Sequence, residues 1–152
     1  MNETLVQTWL INARINVYVL DALTLEQYET TIAKGKAVNS HFSHMHSVRM
    51  MWLKSAAQNL LEGIDKRDGT ACSVEEIRTA LEQSAHAIAE LISLAETPEG
   101  RIKGFKPHCS AFVSYLIAHE SYHRAQLELG LRQAGLPLTD SLAYGTWEWG
   151  TK

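Results

Sequence analysis

The 152-residue chain is 45% hydrophobic and 20% charged, enough apolar material for a buried core in a single domain spanning 1–152. Its net charge of −3 comes from mixed-sign positions with no run of Lys or Arg, which argues against nucleic acid or an anionic membrane as a partner. No stretch is long and apolar enough to span a bilayer, and the opening MNETLVQTWLINARINVYVL lacks the basic flank of a signal peptide; Cys72 and Cys109, far apart, suit free thiols in a reducing cytoplasm.

Prolines occur only at Pro98, Pro107 and Pro137, and between them apolar residues recur every three or four positions, the period of a helix. A first helix is predicted from about Glu3 to Leu23, with Leu5, Trp9, Ile15, Val19 and Leu23 as its core stripe. The polar link TLEQYETTIAKGKA, with one short helical patch, leads into a second helix from about Val38 to Gly63. The third opens at Ser73, whose hydroxyl can cap the helix while Glu76 reaches back; its stripe is Val74, Ile77, Leu81, Ser84, Ile88, Leu91 and Ala95, and it ends before Thr97-Pro98. The fourth runs from about His108 to Ala134 and stops at Gly135, with Pro137 beyond. The tail LPLTDSLAYGTWEWGTK is too aromatic to stand in water, so Trp147 and Trp149 are expected to pack back. With no alternating strand pattern and no internal repeat, the pattern predicts an all-α antiparallel four-helix bundle with a short aromatic C-terminal tail, and a homodimer is expected.

Bundles build metal sites inside, from facing helices, and the histidines are placed for this. His119 and His123, in HESYH, lie only about 40° apart on the fourth helix, on the same side as Phe112, Leu116 and Leu127. An unpartnered imidazole on that apolar face costs about 1–3 kcal/mol, so the pair is either hydrogen-bonded in the core or chelates one ion. The second helix offers His41, His44 and His46 in HFSHMH; the last two are about 200° apart and cannot face one site together. His44 and His46 lie at opposite edges of the apolar band and His41 nearer its middle, so periodicity does not choose among them. His86 and His108 read as solvated.

HESYH also has the H-E-x-x-H form of zinc proteases. Those enzymes need a third ligand downstream, yet Gln126 and Leu129 stand where the glycine and histidine of H-E-x-x-H-x-x-G-x-x-H would be. Glu148, the carboxylate far enough downstream to replace them, sits in the aromatic tail, and no strand is predicted to hold an extended peptide. The protease reading fails on both grounds.

The second helix, NSHFSHMHSVRMMWL, and the fourth, YLIAHESYHRAQLELGLRQAG, together resemble the DinB-like (YfiT-like) metal-binding four-helix bundles. LINARINVYVLDAL, with Asn12 and Asn16, resembles that family's opening helix, and YGTWEWG is similar to the ending of one branch. By position, the resemblance implies a metal site of His44, eight residues before Trp52, with His119 and His123; His46 and His41 stand as alternatives for the ligand on the second helix. Three imidazoles leave an ion open coordination positions, as in catalytic sites, and suit zinc or nickel equally. The family resemblance further implies a thiol S-transferase or isomerase acting with a low-molecular-weight thiol, such as bacillithiol or mycothiol, and an electrophile. Metal-dependent hydrolysis and a non-enzymatic, stress-related metal-binding bundle are the alternatives.

Neighbouring polar residues complete the sequence reading. Glu120 is a candidate base, a hydrogen-bond partner of the ligands, or a surface carboxylate paired with Arg124 at i+4. Arg49, near the centre of the apolar band, is expected to pair with a carboxylate or face an anionic substrate group. Asn12 and Asn16, on the inner side of the first helix, are candidates to bind substrate or join a polar network.

Overall fold

Ser73 begins a helix in the manner its context dictates: its hydroxyl accepts from the Glu76 N–H at 3.2 Å, and its own N–H donates to the Glu76 carboxylate at 2.8 Å. Thr24 and Gln27 repeat this box at the short helical patch. In the computed structural model, which describes residues 2–152, the helices are α1 (Glu3–Ala22), α2 (Leu25–Glu29), α3 (Val38–Ala56), α4 (Val74–Leu94), α5 (Cys109–Gln133) and α6 (Asp140–Gly145). Among the described residues no strand forms; Thr31 and Ala37 make an isolated antiparallel bridge. At the end of α5, Gly135 takes φ 79° and the Leu136 N–H returns to the Leu131 carbonyl at 2.9 Å, the left-handed glycine stop that GLP announces.

The long helices α1, α3, α4 and α5 enclose two apolar clusters at opposite ends of the bundle. Trp9, Leu53, Ile88, Ile92, Phe112 and Leu116 belong to one. Leu20, Phe42, Met45, Leu81, Leu127 and Leu131 belong to the other. Along each helix the chain passes from one cluster to the other through buried polar residues: Asn12 and Asn16 on α1, His46 and Arg49 on α3, Ser84 on α4, and Glu120 and His123 on α5. The bundle therefore has a polar waist between two apolar ends. α1 with α4, and α3 with α5, are its antiparallel pairs. α3 and α4 point the same way, because the segment between them returns along α3, bringing Gly69 against Asn39 and the Asp65 carbonyl to His46.

Three local expectations change. The second helix ends at Ala56, not near Gly63: Ala57 turns out at φ −155°, and a 3-10 turn at Gln58–Leu61 lets Leu60, Leu61 and Ile64 pack on the apolar end. His108 is not merely solvated; its Nδ1 accepts the Ala111 N–H at 3.2 Å and caps α5. The tail docks through Leu142 and through Gly145, whose missing side chain admits the Tyr18 ring, whereas Trp147 is 80% exposed and does not pack back. Trp149 is half-buried. Both cysteines are free, with Cys109 in the core.

Candidate metal centre

One helical turn separates His119 from His123, so α5 projects both rings to the same side of the waist, across from α3. There His44 meets them: one ring nitrogen from each of His44, His119 and His123 lies within 4.8 Å of the others. The Nε2 atoms of His119 and His123 are 3.2 Å apart. Two imidazole nitrogens on one tetrahedral zinc would be about 3.3 Å apart, so the α5 pair is already at chelating distance. The ring centroids of His44 stand 5.3 Å from His119 and 4.7 Å from His123.

The Nδ1 of His119 is buried with no hydrogen-bond partner among the described residues; an ion on Nε2 would hold the ring proton at Nδ1, so the fit of the site rests on the Nε2 spacing and not on this atom. Protonation is compatible with this. Burial holds His44, His119 and His123 below the ordinary imidazole range; His123, with His119, His44, His41 and Lys36 adding like charge, is pushed down to about 4. All are thus neutral near pH 7, the form that offers a lone pair to a metal.

Of the alternative ligands, His41 lies beside the cluster and His46 does not. The Nδ1 atoms of His41 and His123 are 2.9 Å apart, so one donates to the other. With His123 as the donor, its Nε2 carries the lone pair that faces His119, and His41 fixes both ring and tautomer. His46 is fully buried on the opposite flank of α3, its ring nitrogens 3.0 Å from the Ser84 hydroxyl and 2.8 Å from the Asp65 carbonyl oxygen. With both nitrogens so engaged against α4 and the returning segment, it is not available to the α3–α5 site.

Glu120 turns inward from this cluster. Its Oε1 accepts from Arg49 Nε at 2.7 Å, and its Oε2 accepts from Arg49 Nη2 at 3.0 Å and from the Nδ2 atoms of Asn12 and Asn16 at 2.7 Å each. The ion pair is 1% exposed on both sides. Arg49 also donates to the Leu81 carbonyl at 2.8 Å and lies over the Trp9 ring, its Cζ 4.9 Å from the centroid. Arg124 does not pair with Glu120; it donates to the Asn12 and Asn16 side-chain oxygens. Glu120 is therefore not a surface carboxylate; Asn12 and Asn16 give their amide N–H groups to it and their oxygens to Arg124, and Arg49 divides its donors among Glu120, the Leu81 carbonyl and the Ser84 hydroxyl. Local spacing pairs Arg124 with Glu120, whereas in the structure it faces the spaced asparagines of α1; Tyr115, on the histidine side of α5, stacks on His119 with ring centroids 6.4 Å apart and joins an aromatic wall with Trp52, Phe105 and Phe112.

Fold and site together define a helical bundle whose polar waist carries a three-histidine cluster compatible with a divalent metal. A family model described as the DinB family matches residues 1–150, and the chain belongs to that family. No curated protein and no solved structure matches it.

Proposed function

We propose that His44, His119 and His123 hold one divalent ion, zinc or nickel, and that the site serves transfer of a low-molecular-weight thiol to an electrophile. The observation that carries this reading is the convergence of three neutral imidazoles on one point with no carboxylate among them. When bound, such an ion supplies a Lewis acid that favours the ionised form of a thiol. In the overall reaction a sulfur–carbon bond forms, the leaving group departs with its bonding pair, and the thiol proton passes to solvent.

The chain's own residues have separate tasks in this scheme. His41 orients His123, Tyr115 stacks on His119, and the aromatic wall beyond Tyr115 supplies apolar surface for an electrophile. Arg49, Asn12 and Asn16 fix Glu120 and with it the middle of α5, from which both His119 and His123 project. Hydrolysis with Glu120 as base is not proposed, because both of its carboxylate oxygens are engaged inside the bundle by Arg49, Asn12 and Asn16.

Metal-loaded protein assayed with monochlorobimane and, in turn, bacillithiol, mycothiol, glutathione and coenzyme A should show a rate with at least one thiol that His119→Ala abolishes. Metal-loaded protein with no thiol-dependent rate would leave the non-enzymatic metal-binding bundle in its place.

A further inference from the structure

Beside the histidine cluster, under the loop of residues 32–36, lies a cavity of about 260 Å³ whose wall includes Lys34, Lys36, His41, Tyr122 and His123. We propose that this cavity receives an oxyanion, the carboxylate or phosphate group of the substrate, held by Lys36 and Lys34 while the reacting part of the molecule reaches the histidines. The proposal rests on the metal-dependent reading of the same site and adds the chemical class of its substrate.

Charge supports it. No Asp or Glu lines the cavity, and neither lysine has a carboxylate partner within 4.0 Å among the described residues. Glu120, adjacent in sequence to His119, is already neutralised by Arg49. A divalent ion on three neutral imidazoles would thus face two free ammonium groups with no protein anion to balance it, and a substrate anion is the balancing charge the site lacks.

Geometry supports it as well. Of the three cluster histidines, His123 lines the cavity, beside His41, so an anion seated there lies against one edge of the cluster. The volume falls below the ~300–1,000 Å³ of sites that enclose whole drug-sized ligands, and so suits one charged group with a few carbons. The lysine loop is held in place: the Thr31–Ala37 bridge closes it, the Ile32 N–H bonds the Lys36 carbonyl at 2.7 Å, and Ile32 seats against Gly130 of α5, where a side chain would collide with it. Lys34 adopts the left-handed conformation at φ 60°, unusual outside glycine, and Gly35 follows at φ 70°.

The test is calorimetric titration of full-length protein, zinc-free and zinc-loaded, with succinate, inorganic phosphate and the neutral control succinamide. The wild type should bind succinate or phosphate and not succinamide; the stronger of the two identifies carboxylate or phosphate as the preferred group. A double variant, Lys34→Gln with Lys36→Gln, should bind that anion about five- to tenfold more weakly at unchanged zinc content, whereas Lys66→Gln, on the other side of the bundle, should match the wild type. Anion binding no stronger than succinamide binding, or unchanged in the double variant, would overturn the proposal. Failure of the wild type to take up zinc would overturn the metal reading instead, and the zinc-free titration would still decide the role of the lysines.

Discussion

Replacing Glu120 by Gln keeps the volume of the side chain and removes its charge, so it isolates the electrostatics of the bundle's waist. The carboxylate accepts four hydrogen bonds, one at Oε1 and three at Oε2. A Gln in the same place offers one oxygen and one NH2 group, so its best orientation keeps the three donors at Oε2 and turns an N–H toward Arg49 Nε. Arg49 is fully buried and would lose its counter-charge. Breaking a buried pair from one side costs about 3–5 kcal/mol; with the shape retained and three bonds kept, the lower end applies, about 3 kcal/mol. For a chain of this length that is about 6–12 °C in Tm. Urea unfolding followed by circular dichroism, on metal-free protein, reads the change directly. Because the three cluster histidines keep their places, zinc content should be unaltered. A Glu120→Gln protein as stable as the wild type would refute the assignment of Glu120 to structure and restore it as a candidate base.

Three further outcomes follow from the same geometry. His46→Ala should retain bound metal yet lose about 1–3 kcal/mol of stability, because it strips the Ser84 hydroxyl and the Asp65 carbonyl of a buried partner; loss of metal would return His46 to the ligand set. In metal-free protein, His123 stays neutral down to about 4 while the unfolded chain protonates its histidines near 6.5, so between those values the unfolded state binds more protons. Stability should therefore be fully present above pH 6.5 and fall as pH drops toward 4; urea midpoints that do not fall over this range would contradict the burial of His123. Gly130→Ala should cost about 1–3 kcal/mol in a thermal melt, since the added carbon would stand 2.7 Å from Ile32 Cβ, and an unchanged Tm would show that the lysine loop is not seated there.

What could be read from the sequence, and what could not, divides along physical lines. Helix starts and stops were legible at Ser73 and Gly135, where capping chemistry is local. His119 and His123 were legible as a pair because an i, i+4 spacing is fixed by the helix itself. The choice among His41, His44 and His46 came from the resemblance and not from periodicity, because α3 is buried on two flanks. His46 is covered by α4 and His44 faces α5, so no single apolar stripe marks one functional side. Arg49 could be foreseen to need a carboxylate, but that the partner is Glu120 depends on how α3 and α5 face each other. For the same reason local spacing misled at Glu120 and Arg124: i+4 neighbours on one helix, they turn instead to Asn12 and Asn16 on α1. The exposure of Trp147 follows from the docking of Gly145 on Tyr18, a contact between distant segments that composition does not encode.

Metal content of purified wild type and of His44→Ala, measured by mass spectrometry after exposure to equimolar zinc and nickel, decides most directly whether α3 and α5 share an ion. The structure predicts about one divalent ion per wild-type chain and none in the variant. A wild type that takes up neither metal, or a His44→Ala protein that remains fully loaded, would contradict the site.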